Sequence, residues 1–96
     1  MSKITESALD KDCTIRIPGI CNFDTATTVH CHLPGGGIGA KQEDEAGARG
    51  CGACHDEVDG RTRKIEDRDM VELWFYHAVI RTILQLKAEG LLGAGR

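Results

Sequence analysis

Cys51-Gly52-Ala53-Cys54-His55 is the stretch of sequence that decides the fold of this chain. Two cysteines separated by two residues form a knuckle that presents both thiolates to one metal ion, and Cys13 and Cys21 can supply a second pair from upstream. Four thiolates make a closed tetrahedral zinc site, so the sequence predicts one structural zinc. The histidine that follows the knuckle is not needed as a fifth ligand and is available for other chemistry.

Disulfides are the alternative use of these cysteines. Residues 1–12 carry charges and no apolar core of signal-peptide length, which gives no indication of secretion. A reducing cytoplasm disfavours disulfides, so we favour zinc and expect a cytoplasmic protein. The seven residues between Cys13 and Cys21 are a wider gap than usual for zinc, which makes this pair the weaker half of the set.

The length and charge of the chain limit its function. Its 96 residues predict one domain over 1–96, with a modest core that a structural zinc would supplement. The net charge of −3 disfavours a strong non-specific nucleic-acid binder, so any contact with nucleic acid must use a local basic patch or a bound cation. The basic residues available for such a patch are Arg61, Arg63, Lys64 and Arg68. Acidic residues interleave with them, and by charge pattern alone a solvated face is favoured.

Two strands are predicted before the knuckle. Thr14–Ile17 is β-branched and alternating, and Pro18 ends it; Thr27–Leu33 is the second candidate. Residues 35–50 are rich in glycine and charge and predict a linker, because the Gly-Lys-Ser/Thr ending of a phosphate-binding loop is absent.

Helices are predicted at both ends of the chain. Residues 3–12 can form a turn of helix, a short helix starts near Cys54 and ends at Asp59, and a long helix runs from an N-cap at Asp67 to about Glu89. The predicted inner stripe of the long helix is Met70, Leu73, Trp74, His77, Ile80 and Leu84. A second apolar flank consists of Phe75, Val79, Ile83 and Leu86, and predicts several packing neighbours or a dimer contact.

The histidines carry the remaining chemistry. His30 and His32 lie two apart on a predicted strand, so they share a face and Cys31 faces the core. Such a pair can clamp a metal, or one ring can act as a base; two ordinary hydrogen-bonded histidines are the alternative. His55 and Asp59 lie one helical turn apart, which suits either a divalent cation or a weak surface hydrogen bond.

These segments together resemble a known superfamily. A strand with a histidine, a loop and Cys-x-x-Cys-His opening a helix resemble the HNH, or ββα-metal, endonucleases. Over nearly the whole chain the sequence resembles the small phage and prophage family of the predicted nuclease YbcO. The segments that carry this resemblance are Cys13–Asn22, Thr28-Val29 with His32, Cys51–Asp59, Arg81-Thr82 and Lys87–Gly90. The resemblance implies an α+β fold, a small zinc-stapled ββα-metal domain with a long C-terminal helix, in a bacterial host.

The resemblance also implies roles for individual residues. His32 corresponds to the general base that activates water, His55 to a ligand of the catalytic cation and Asp59 to a second ligand. Two features depart from the pattern: Cys31 stands where Asp or His is usual, and the middle Asn has no counterpart between Leu33 and Gly50. The cation site is then either incomplete or completed by His30 or His77, although a lone histidine on an apolar stripe, such as His77, is more often a hydrogen-bonded core residue.

The predicted activity is metal-assisted hydrolysis of phosphodiester bonds, with DNA as the expected substrate. Mg²⁺, Mn²⁺, Ni²⁺ or Zn²⁺ fits the histidine and carboxylate site, while Arg61, Arg63 and Lys64 would contact neighbouring phosphates. A zinc nucleoside deaminase is rejected because His30 is not followed by x-Glu. The alternatives are a non-catalytic zinc-knuckle module that binds nucleic acid or a phage protein, and an accessory protein docked on a phage recombination partner. A homodimer is also expected to be possible.

Overall fold

A short two-stranded sheet lies between a cysteine-rich N-terminal segment and a long C-terminal helix. The computed structural model describes residues 3–32 and 47–91. Its elements are helix α1 (Lys3–Ser7), a 3₁₀ turn (Thr25–Thr27), strand β1 (Val29–His32), strand β2 (Gly47–Gly50), helix α2 (Gly52–Asp59) and helix α3 (Arg68–Ala88). This is an α+β fold with a long C-terminal helix, as the sequence predicts. No helix in these ranges is long and apolar enough to span a membrane.

The two strands form an antiparallel pair in which Val29 lies opposite Gly50 and His32 opposite Gly47. The prediction of a linker over residues 35–50 is therefore wrong for its last four residues, and residues 35–46 lie outside the described part of the chain. Gly-Ala-Arg-Gly lacks β-branched residues and has no sequence signal for a strand. Lack of room for a side chain explains why glycines occur here, because a Cβ at Gly47 would lie 2.6 Å from the His30 ring.

Residues 13–17 are not a strand, which corrects the prediction for Thr14–Ile17. Arg16 has a positive φ of 52°, which interrupts any extended run. Ile15 and Ile17 are buried in the core all the same. The segment is fixed by Thr14, whose backbone N–H donates to the carbonyl of Arg49 on β2 at 2.6 Å. The apolar and β-branched residues of Thr14–Ile17 therefore report burial of the segment, in which only Arg16 is exposed, and not strand pairing.

Strand β1 begins two residues later than predicted, because Thr25–Thr27 form a 3₁₀ turn capped by the side chain of Asp24. Leu33 lies outside the described residues. Cys31 is 2 % exposed and belongs to the core, which confirms its predicted role as a small buried residue.

Helix α2 is two residues longer at its start than predicted. The Sγ of Cys51 is the N-cap and accepts a hydrogen bond from the backbone N–H of Cys54 at 3.4 Å. Gly60 ends the helix in the left-handed conformation with φ 81°, as its position in the sequence predicts. The knuckle therefore starts the helix that carries His55 and Asp59.

Helix α3 has the predicted N-cap, Asp67, whose carboxylate accepts from the N–H of Met70 at 3.2 Å. The predicted inner stripe, however, is wrong. Most of its members are exposed, namely Met70, Leu73, His77, Ile80 and Leu84. The face that packs inward consists of Val71, Phe75, Ala78, Thr82 and Leu86. Thr82 illustrates the reason for the error. As a polar residue it is expected at the surface, but its hydroxyl lies 2.9 Å from that of Thr14, and this hydrogen bond allows it to be buried in the core.

Two buried charged side chains fix the elements around this core. Arg49 on β2 is 1 % exposed and donates to both carboxylate oxygens of Glu89 at 2.8 and 2.9 Å. Glu57 on α2 is fully buried, and its carboxylate accepts from Arg68 at the start of α3 and from the loop between the two helices. Neither charge is left unpaired, as burial of a charge requires.

Candidate metal centre and catalytic residues

The four cysteines predicted to bind zinc meet at one point. The Sγ atoms of Cys13, Cys21, Cys51 and Cys54 all lie within 4.8 Å of one another. The N-terminal segment brings Cys13 and Cys21, and the start of α2 brings the knuckle pair. Cys13, Cys51 and Cys54 are buried and Cys21 is half-buried. The wide gap between the first two cysteines is thus no obstacle, because the chain turns back on itself between them.

The chemistry of this cluster fits a tetrahedral thiophilic ion such as zinc. All five cysteines are free, so no disulfide competes for the sulfurs. Backbone N–H groups of Arg16 and Cys54 donate to the Sγ of Cys13 and Cys51, both at 3.4 Å, as suits thiolates. A hydrogen bond from Cys54 lowers the pKa of Cys13, while the same contact raises the pKa of Cys54. The cluster thus has anionic character that a divalent cation would stabilise, releasing the remaining thiol protons on binding.

The fifth cysteine, Cys31, does not belong to this cluster. Burial raises the pKa of its thiol to about 12, so it is a neutral thiol under ordinary conditions and packs as an apolar side chain. Cys31 precedes the exposed His32 on β1, and its own side chain belongs to the core.

His55 and Asp59 form a pair on α2. The Nε2 of His55 lies 3.2 Å from the Oδ2 of Asp59, and their side chains are 29 % and 34 % exposed. An imidazole nitrogen and a carboxylate oxygen at this distance, both reachable from solvent, can share a divalent cation. The pair is held rigidly, because its helix starts at the cysteine knuckle and is anchored to α3 through Glu57.

His30 and His32 share one face of β1. Their ring centroids are 4.9 Å apart with the planes at 86°, an edge-to-face contact. His32 is exposed, whereas His30 is 8 % exposed beneath it. The two rings thus share a face, as the alternation of the strand predicts, and His32 is the one of the two that solvent reaches.

The remaining predicted residues lie apart from these pairs. His77 lies exposed on the outer face of α3, not in the core. Arg61, Arg63 and Lys64 are exposed in the loop after α2. Arg61 lies 3.5 Å from Asp56, a loose surface contact that leaves its charge largely in water. Arg63 and Asp59 line the same groove of about 250 Å³ between α2 and α3.

Arg49 and Glu57 were missed by sequence reasoning, although they fix the elements that carry the candidate site. Arg49 lies in a stretch that reads as linker, and Glu57 reads as a helix-surface acid. Thr62 donates to Glu57 at 2.6 Å, and this hydrogen bond together with those from the Ile65 and Lys64 N–H groups lowers the pKa of Glu57 to about 2. One signal was present in the sequence: Glu57 is followed within eleven residues by Thr62 and Arg68, which are its hydrogen-bond partners in the structure.

A four-cysteine cluster beside an antiparallel strand pair and a histidine-bearing helix defines the class: a small α+β domain with a candidate zinc centre. The model of a protein family described as "Putative nuclease YbcO" matches residues 2–91, and the chain belongs to that family.

Relatives of the same description occur in a bacterium and in a phage. "Putative nuclease YbcO" of Escherichia coli K12 is 36 % identical over 69 residues, which cover 69 % of this chain and 72 % of the relative. The protein of the same description from Enterobacteria phage 82 matches equally, at 36 % over 69 residues. A solved structure described as "a putative bacteriophage protein from Escherichia coli str. K-12 substr. MG1655" is 31 % identical and superimposes with a TM-score of 0.80, covering 90 % of this chain and 98 % of that one.

Proposed function

We propose that this protein is a metal-dependent endonuclease of the HNH type, which hydrolyses phosphodiester bonds of DNA in phage or prophage recombination or DNA processing. The observation that carries the proposal is the His55–Asp59 pair, 3.2 Å apart on the helix that the cysteine knuckle starts. The antiparallel strand pair directly before this helix, with His32 exposed on its first strand, supports the proposal, because a ββα-metal site requires two strands followed by a helix. The family's description as nucleases agrees with this chemistry in general terms.

His32 is the proposed general base. Its ring is exposed and can reach a water molecule, and the ring of His30 contacts it edge-on and limits its orientation. A neutral imidazole accepts the proton of the attacking water as the water approaches phosphorus. His30 is therefore proposed as a positioning residue that acts through His32.

His55 and Asp59 are the proposed ligands of the catalytic cation. Mg²⁺, Mn²⁺, Ni²⁺ or Zn²⁺ is compatible with one imidazole and one carboxylate. His55 and Asp59 would hold the cation, which would supply stabilisation of the charge that develops on the scissile phosphate and leaving oxygen. The soft thiolates of the cysteine cluster would keep zinc as a separate structural ion.

Substrate binding is assigned to the loop after α2. Arg61, Arg63 and Lys64 are exposed there, and Arg63 lines the groove that Asp59 also lines. Cationic side chains beside a cation site hold the phosphates that flank the scissile bond. With a net charge of −3 for the whole chain, this local patch and the cation must together provide the attraction for nucleic acid.

A non-catalytic module that binds nucleic acid or a phage protein through its zinc knuckle is the second candidate. Cys31 favours it, because this core residue stands where the HNH pattern has a metal-binding or polar residue. The module needs the four cysteines but not His32. Cleavage assays on His32 variants therefore separate the two functions.

The deciding experiment is a nicking assay on plasmid and branched DNA with each of the four cations. Wild-type protein should nick DNA only with a divalent cation present, and His32→Ala should lower the rate by about a hundredfold or more, as loss of a general base does. Its zinc content should be unchanged, since His32 is outside the cysteine cluster. Cleavage with no cation, or none with any cation while DNA binding persists, would favour the binding module.

Two further histidine variants sharpen the assay. His55→Ala should weaken binding of the catalytic cation, so raising the metal concentration should restore part of the activity. His77→Ala is the matched control, because this histidine lies on the outer face of α3 and the proposal gives it no role. A rate equal to wild type for His32→Ala, in a preparation free of contaminating nuclease, would refute the assignment of the base.

A further inference from the structure

Helix α3 has an apolar outer face in addition to the face that packs into the core. Its exposed apolar residues and their exposed fractions are Met70 (36 %), Leu73 (44 %), Tyr76 (43 %), Ile80 (58 %) and Leu84 (61 %). They lie on the side opposite Phe75 and Leu86, which are 1 % and 0 % exposed. Soluble monomers seldom expose a continuous apolar stripe along a whole helix, and such stripes mark association surfaces.

The spacing of this face is that of a helix-pairing seam. Positions 70, 73, 77, 80, 84 and 87 follow one another at alternating intervals of three and four residues. That is the seven-residue repeat with which two helices pack side by side. At 21 residues the helix is long enough for three such repeats, about 31 Å at 1.5 Å per residue. The seam therefore fits another helix of similar length.

Charge at the two ends of the seam identifies its occupant. Asp69 lies exposed in the first turn of α3 and Lys87 lies exposed in the last turn. Two copies of α3 in parallel would place like charges together at both ends, whereas antiparallel copies place Asp69 of each beside Lys87 of the other. The helix macrodipoles also favour the antiparallel arrangement. The charge pattern along the seam is therefore complementary to that of a second, antiparallel copy of α3.

We propose that the outer face of α3 is a homodimer interface in which two copies pack antiparallel about a two-fold axis near residues 78 and 79. In this register Leu73 of each copy meets Leu84 of the other, and His77 meets Ile80. Between residues 70 and 84 the seam is apolar except for His77, and a single polar residue inside an apolar seam fixes its register, which is the role of His77 here. The dimer does not depend on the proposed nuclease activity, because no catalytic residue lies on this face.

Two charge variants test the interface and its orientation. Each variant alone reports the orientation, because parallel wild-type copies would already place like charges together at both ends, and mixing the two variants reports the charge contact itself. Asp69→Lys puts lysines at both ends of the seam, and Lys87→Asp puts aspartates at both ends. Each variant alone should dimerise more weakly than wild type, by about tenfold in dissociation constant for like charges facing each other. Mixed together, they should form more heterodimer than the two homodimers combined, measured by native mass spectrometry of the zinc-loaded full-length chains.

Apolar substitutions give an independent measure. Leu84→Glu should make the protein monomeric across a concentration series in analytical ultracentrifugation, because it places two charges in the seam. Leu9→Glu is the matched control, since Leu9 is 55 % exposed on a different part of the surface, and it should leave the dimer intact. Circular dichroism and zinc content confirm that each variant is folded.

Three results would overturn the proposal. A wild-type protein that is monomeric at every concentration would show that this face serves another partner. A dimer unaffected by Leu84→Glu would place the interface elsewhere. Equal proportions of heterodimer and combined homodimers from the two charge variants would exclude the antiparallel pairing.

Discussion

Leu84 and Leu86 offer the sharpest test of how α3 is oriented. They are the same residue type, two positions apart on one helix, yet Leu84 is 61 % exposed and Leu86 is fully buried. The sequence pattern places Leu84 on the inner stripe and Leu86 on the second apolar flank, so it predicts that Leu84 is buried. Because Leu and Ala have similar helix propensities, replacing each with Ala measures burial almost alone.

The expected magnitudes differ clearly. Leu86→Ala removes three carbon atoms from the core, about 2.4 kcal/mol of transfer free energy at 0.8 per methylene, and a residual cavity brings the cost to about 2–5 kcal/mol. Leu84→Ala removes the same atoms from a mostly hydrated position and should cost about 1 kcal/mol or less. A domain of this size has a total unfolding free energy of about 5–14 kcal/mol, so only the first change is severe.

Urea unfolding followed by circular dichroism gives the comparison. Zinc is held constant, and the protein is dilute enough to be monomeric, so that loss of the proposed dimer does not contribute. A loss of about 3 kcal/mol moves the midpoint by about 1–3 M urea for an m-value of 1–3 kcal/mol/M. Equal losses for the two variants, or a larger loss for Leu84→Ala, would show that the assigned inner face of α3 is wrong.

Three further outcomes are expected. Cys51→Ser should abolish the binding of one zinc ion per chain and unfold the knuckle, because metal-binding energy is folding energy here; native mass spectrometry showing no zinc in wild type, or a disulfide, would contradict this. The pKa of Glu57 is lowered from 4.5 to about 2, so the stabilisation that this carboxylate gives is complete above pH 4.5 and is lost as the pH falls towards 2. Glu57→Gln should therefore lower the urea midpoint at neutral pH, and the midpoint of the variant should decline less than that of wild type between pH 4.5 and 2. An equal decline in the two proteins would contradict the assignment. Gly47→Ala should cost about 1–3 kcal/mol, since its Cβ would lie 2.6 Å from the His30 ring, whereas Gly52→Ala, with no atom nearer than 3.5 Å, should not; equal urea midpoints for the two would refute the packing argument.

Capping signals made the helices predictable. Asp67 and Gly60 mark the start of α3 and the end of α2 as predicted, because a capping carboxylate and a left-handed glycine act through neighbouring backbone groups. The strands were less predictable. Thr14–Ile17 has the composition of a strand but is irregular, and Gly47–Gly50 has the composition of a loop but pairs with β1. Strand pairing depends on partners distant in sequence, which composition does not report.

The orientation of α3 could not be read from its sequence, because apolar residues occupy both faces. The inward face is distinguished by small residues, Ala78 and Thr82, which allow β2 and residues 13–17 to approach closely. Larger apolar side chains on the opposite face give the stronger pattern. If that face binds a second copy, the sequence correctly reported two buried surfaces and left open which one belongs to the monomer.

The sequence by itself determined the local chemistry of this protein: the thiolate set, the His55–Asp59 spacing, the alternation of His30 and His32, and the helix ends. Each depends on residue type and on separations of a few positions, which backbone geometry converts directly into distance. The tertiary structure alone brought Cys13 and Cys21 to the knuckle and placed Arg49 and Glu57 in buried ion pairs. Those contacts join residues up to 41 positions apart, and they form only because closing the core brings these segments together.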